Sequence, residues 1–153
     1  MAVTLGPGKC RVIAGQWHDP YTGRVFTDPG DLDIDHLVPL KEAHDSGAAP
    51  WPQPRKRAYA NDLSHPEALI AVYDGANRAK GAHDPASWLP STAVYRCAYV
   101  RAWTQVKDHW GLTMDRAEAK TVTAILENCQ QQRESEKRGR IMNREKSLPG
   151  GGS

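Results

Sequence analysis

Asp33-Ile34-Asp35-His36-Leu37-Val38-Pro39 is the stretch on which the fold turns. With Leu32 before it, the run alternates apolar and acidic residues as a half-buried strand does, and Pro39 limits further pairing. Outward from it, Leu69-Ile70-Ala71-Val72-Tyr73 reads as a second, short apolar strand. Asp74-Gly75 is expected to turn the chain, and Ala76 to Gly81 to form a short helix limited by Gly81 and Pro85. Strand, strand and helix therefore follow in that order, with a long segment between the strands. In that segment a short helix is expected to end near Gly47, and another to run from Arg55 to Asp62, with Pro50, Pro52 and Pro54 forcing an irregular crossing between them.

Upstream, Val12-Ile13-Ala14 and Val25-Phe26-Thr27 flank the turn Asp19-Pro20-Tyr21-Thr22-Gly23 and suggest a hairpin. Downstream, Tyr95, Tyr99, Ala102, Val106 and Trp110 fall on one helical face, and Gly111 stands where a helix-ending glycine belongs. Asp115 with Glu118 resembles a capping box, after which Val122, Ile125, Leu126 and Cys129 make the apolar face of a second helix. The short turn between the two implies an antiparallel helical hairpin. Cys97 and Cys129 lie at equal distances from that turn, so a disulfide and two buried thiols fit equally well. Cys10 has no evident partner, and three cysteines without a Cys-x-x-Cys pair exclude a four-cysteine zinc site within one chain.

The chain has 153 residues, with 20 Lys and Arg against 18 Asp and Glu, so net charge alone says little about partners. No apolar run is long enough to span a bilayer, and the first ten residues lack the apolar core of a signal peptide. As written, a cytoplasmic protein is expected, and the membrane is not a partner. Residues 1–130 read as one domain. Residues 131–153 read as a basic polar tail ending in a Gly-rich linker, and the polar stretch from Gln130 to Lys146 as a solvated helix end fraying into that tail, with a phosphate-tracking arm as the alternative.

An Asp-His pair on a strand before proline, followed by Asn77-Arg78-Ala79-Lys80 on a helix, resembles the signature of HNH (ββα-metal) endonucleases, in particular the branch of GmrSD-type restriction enzyme C-terminal domains. The likeness runs from about Gly15 to Cys129. It includes Asp19-Pro-Tyr-Thr-Gly23, Asp33-Ile-Asp-His-Leu-Val-Pro-Leu40, Ala60-Asn-Asp-Leu63, Asn77-Arg-x-Lys-Gly81, Asp84-Pro-x-x-Trp-Leu-Pro90 and Tyr95-Arg-Cys97. The resemblance implies an α+β fold: a ββα-metal core, a helical insertion between its strands and a C-terminal helical hairpin. It also implies cleavage of DNA phosphodiester bonds, with Asp35, His36 and Asn77 at the catalytic centre.

The residue types suit that chemistry. A neutral imidazole at His36 can take a proton from water near pH 7. Asp35 and the Asn77 amide oxygen offer two hard ligands for one Mg²⁺ or Mn²⁺, leaving places for water and phosphate. Lys80, three residues after Asn77, is expected to touch that phosphate, with Arg78 as the weaker candidate. Many relatives carry Asn or His nine residues before the metal-ligating Asn, where this chain has Ala68. Glu67, Asn61 and Asp62 are the candidates to replace it. His44, Asp31 and Asp33 read as solvated positions, and Trp51, Trp88, Trp103 and Trp110 as core. A single site cuts one strand per event, so double-strand cutting needs two encounters or a homodimer. The rival readings are a catalytically silent DNA-binding module and a subunit acting with a protein partner in a restriction, phage or mobile-element complex.

Overall fold

A computed structural model describes residues 3–8 and 11–146. Cys10 and the Gly-rich linker at residues 148–153 lie outside the described residues. Among the described residues, three small antiparallel ribbons and five α-helices make up a mixed α and β architecture. Strand β1 (Val3–Leu5) pairs with β2 (Val12–Gly15), and β3 (Trp17–His18) with β4 (Val25–Phe26). The expected hairpin is thus real at the Asp19–Arg24 turn, but its first strand is Trp17-His18 and not Val12-Ile13-Ala14. Asp19 explains the shift. Its buried carboxylate accepts from the backbone N–H groups of Tyr21, Thr22 and Tyr73, so the turn is anchored to the molecule's centre immediately after His18.

At that centre β5 (Leu32–His36) pairs with β6 (Leu69–Tyr73), Asp33 opposite Val72 and Asp35 opposite Ile70. Directly opposed residues share a face, so both aspartates lie on the side of fully buried Val72, while Ile34 faces outward and is 65% exposed. Between these strands run α1 (Leu40–Ala43), a wider turn over His44–Ala48 with Gly47 at φ 125°, and α2 (Gln53–Ala60). Helix α2 starts two residues earlier than expected, because Pro52 closes its N-terminus and Pro54 falls in its first turn, where no backbone donor is needed.

Helix α3 (Asp74–Lys80) follows β6 without the expected Asp74-Gly75 turn. Gly75 serves packing instead: a Cβ there would stand 2.6 Å from the Tyr73 ring. Gly81, at φ 52°, ends the helix.

Helix α4 (Ala93–Trp110) is the core's axis. Tyr99, Val100, Ala102, Trp103, Val106 and Lys107 are buried, a wider arc than one amphipathic stripe, because α4 is covered on two sides. Helix α5 (Arg116–Lys146) packs back along it. Asp115 and Glu118 form the expected reciprocal cap, with Glu118 N–H donating to Asp115 Oδ1 at 2.8 Å. Glu118 does more than cap. Fully buried, it accepts from Trp103 Nε1 at 2.5 Å and from Lys107 Nζ at 2.9 Å, and Lys107 also pairs with Glu42 of α1. Buried charges need such partners, and these fix three helices to one another.

Cys97 and Cys129 are joined as a disulfide between α4 and α5. Closing a loop with a sequence separation of 32 removes unfolded-state entropy worth about 3 to 4 kcal/mol. The double variant Cys97→Ser/Cys129→Ser is therefore expected to lose that much unfolding free energy in urea, and equal midpoints for the two proteins would show that the bridge contributes no stability. Beyond Cys129, α5 continues to Lys146 with exposed side chains as far as Arg144, so the polar stretch expected to fray is helical.

Candidate active site

The inner face of β5 carries Asp33 and Asp35, two residues apart, and α3 crosses beside it with Asn77 and Lys80, three residues apart. A strand repeats every two residues and a helix turn nearly every three or four, so the four side chains meet as two pairs. Asn77 Nδ2 donates to Asp33 Oδ2 at 3.2 Å. Lys80 Nζ donates to Asp35 Oδ1 at 2.9 Å, lies 2.8 Å from its Oδ2, and donates to the His36 carbonyl at 2.9 Å.

Asp35 has a third contact. The Tyr21 hydroxyl donates to Oδ2 at 2.6 Å. Burial, reinforced by the negative charge of Asp35, pushes the Tyr21 phenol far above its ordinary range, so it stays a donor. Tyr21 itself is immobilised by edge contacts with Trp88 and Tyr99, and its carbonyl accepts from Ser91 and Thr92 at the start of α4. Burial pulls the Lys80 ammonium below its usual range while Asp35 opposes that loss. Since a carboxylate offers about four lone-pair positions, these three contacts leave Asp35 one for a further ligand.

His36 belongs to the other face. Its Nε2 lies 2.9 Å from the Ala60 carbonyl oxygen at the end of α2, and its ring lies nearly parallel to that of Tyr59, centroids 6.4 Å apart. Tyr59 is held in turn by donating to the Val38 carbonyl at 2.6 Å. A carbonyl can only accept, so Nε2 carries the proton of the neutral ring and Nδ1 is left with the lone pair.

Several expectations are corrected by these positions. Lys80 is fully buried against Asp35 and does not reach outward for a phosphate. Arg78 is the exposed cation of α3, paired with Asp74 one turn earlier at 2.6 Å. Asp33 is not a solvated bystander but the partner of Asn77. Asp35 and Asn77 are therefore each engaged by a different neighbour. Among the described residues, no three His, Cys, Asp or Glu side chains form a ready cation cluster.

The job expected of a residue at Ala68 is to bond the backbone beside His36; among the described residues a side-chain bond to that backbone comes from Lys80, while the Ala60 carbonyl meets the His36 ring. Asn61 caps α2 by donating to the Arg57 carbonyl. Asp62 holds the following turn through Ser64 and also accepts from Trp110 Nε1 at 3.0 Å. Tyr21 was visible only as part of the Asp-Pro-Tyr-Thr-Gly run. The four tryptophans expected as scaffold pack against the core, Trp103 within it and Trp51, Trp88 and Trp110 at its edge.

The model of the GmrSD restriction endonuclease C-terminal domain matches residues 4–125, most of the chain. The chain belongs to this family. That membership makes it a restriction-type nuclease family domain. It is also 44% identical over 122 residues to a protein of Arthroderma benhamiae called "Uncharacterized secreted protein", a match that covers 80% of this chain. The chain spans 59% of the length of that relative. No solved structure matches it. No helix among the described residues of this GmrSD-type domain is long and apolar enough to cross a membrane.

Proposed function

We propose that this GmrSD-type domain is a divalent-cation-dependent endonuclease that hydrolyses DNA phosphodiester bonds, with His36 as general base. The observation that carries the reading is the ring anchored through Nε2 to the Ala60 carbonyl at the end of β5. An imidazole fixed by one nitrogen presents the other, Nδ1, as a base of set direction, which is what activating a water requires.

The donor set on the neighbouring edge suits a hard cation: the carboxylates of Asp33 and Asp35 and the amide oxygen of Asn77, all oxygen ligands, from β5 and from the helix that follows its partner strand β6. Asp35 and Asn77 would hold Mg²⁺ or Mn²⁺, and Asp33 would join them. When bound, the ion would supply charge relief to the phosphate and to the leaving 3′ oxygen. Lys80 and Tyr21 act one step back, holding the Asp35 carboxylate in one orientation. Arg78, exposed on α3 beside Asp74, would meet a phosphate oxygen.

In a plasmid assay the protein is expected to relax supercoiled DNA with Mg²⁺ or Mn²⁺, to lose at least 100-fold of that rate in excess EDTA, on the order expected when a metal's charge stabilisation is removed, and to regain it on adding metal back. Binding without cleavage under every one of these conditions would overturn the enzyme and favour a silent DNA-binding module. The Cys97–Cys129 bridge and the name of the fungal relative together support action in an oxidising compartment instead of the cytoplasm.

A further inference from the structure

The last seventeen described residues, Gln130 to Lys146, hold six Lys and Arg against three Glu, out of 20 and 18 in the chain. The rest of the protein is therefore net negative by one, and the whole positive excess of the chain resides in this extension of α5. It lies beyond the end of the family match at residue 125. A frayed tail would spread these charges in all directions. The helix does not: at about 100° per residue, Arg133, Lys137, Arg140 and Arg144 fall within a narrow arc, spaced four, three and four residues apart.

That arc continues the face on which Val122, Leu126 and Cys129 pack against α4, so the cations replace apolar residues where the body of the domain stops. All four are exposed, and they line one shallow groove with Glu136 and Ile141. Glu136 approaches Arg140 at 3.7 Å with both side chains largely in solvent, a pair too exposed to neutralise the stripe.

We propose that this stripe is a second nucleic-acid contact, a helical arm that tracks the phosphate backbone of DNA held at the candidate active site. The inference rests on the nucleic-acid reading above. The stripe is about 16 Å long at 1.5 Å per residue, enough to follow several consecutive phosphates. It carries charge without aromatic or amide side chains directed at bases, so it adds affinity without sequence preference. An anionic membrane or an acidic protein offers the same charge, but neither is a substrate of a nuclease family.

The test measures binding of a fluorescent duplex to the full chain in EDTA, between about 50 and 200 mM salt. Each phosphate contact contributes about 0.9 to the slope of log affinity against log salt. Arg133→Gln/Lys137→Gln/Arg140→Gln is expected to flatten that slope by about 2 to 3 and weaken binding about tenfold or more at the middle of the range. A control that removes equal charge from the exposed body, Arg101→Gln/Arg116→Gln/Lys120→Gln, is expected to change the slope by less than one. Equal slopes for the stripe variant and the wild type would overturn the arm, as would a loss of binding to anionic vesicles but not to DNA. Because the measurement needs no cleavage, a flattened slope in a protein that never cuts DNA would sink the nuclease reading alone. An unchanged slope in one that does cut would sink only the arm.

Discussion

Replacing His36 by alanine is expected to lower the cleavage rate by about 10²- to 10⁴-fold, the span that a positioned general base contributes. Among the described residues, the ring makes one hydrogen bond, to the Ala60 carbonyl, and one stacked contact, with Tyr59. Losing them is expected to cost no more than about 1 to 2 kcal/mol of folding stability. Duplex affinity in EDTA should stay within about twofold of wild type, because the ring supplies no phosphate charge when neutral. The discriminating readout is rescue. Millimolar imidazole diffusing into the space left by the ring should restore part of the lost rate to His36→Ala, and should do nothing for the wild type. A variant that cuts at more than a tenth of the wild-type rate without imidazole would remove His36 from the chemistry.

Lys80→Met is expected to produce the largest loss of stability of any single change at the site, about 3 to 5 kcal/mol. Lys80 and Asp35 are both buried, and among the described residues no other cation contacts that carboxylate. Methionine occupies a similar volume but leaves the Asp35 carboxyl in the interior with, among the described side chains, the Tyr21 hydroxyl as its donor. It also takes the donor from the His36 carbonyl, so the end of β5 loses a tether beside the His36 ring. Urea unfolding measures the effect directly. The double variant Asp35→Asn/Lys80→Met should recover much of the loss, since it removes both charges of the pair, and a double-mutant cycle reads out the coupling. If Lys80→Met unfolds within about 1 kcal/mol of wild type, the pair is not the structural centre of the site. If it stays folded and gains activity, Lys80 was competing with the cation for Asp35.

These two residues separate what each face of β5 does. Asp35 turns inward to Lys80 and Tyr21, and His36 turns outward to Ala60 and Tyr59. Alternation along a strand makes adjacent residues diverge, and Asp35 and His36 accordingly take different partners. A phosphate served by both would therefore lie over the end of the ribbon, where β5 finishes and α2 and α3 approach from opposite sides.

The sequence by itself determined the order of elements around the site, the faces of α4 and α5 and the Asp115–Glu118 cap. Those are properties of periodicity and of neighbours within one turn of chain, so the residues that cause them are a few positions apart. It also marked Asp35, His36, Asn77 and Lys80 as the residues worth following. Only the tertiary structure decided who meets whom: Asp33 with Asn77, Asp35 with Lys80 and Tyr21, His36 with a backbone carbonyl, Trp17 instead of Val12 across from Phe26. Each of these depends on the register of one strand against another or on the rotation of a helix over a sheet, separations of 14 to 45 residues in the hydrogen bonds at the site. Local pattern carries no information about such offsets, and a carbonyl oxygen is the same atom in every residue type.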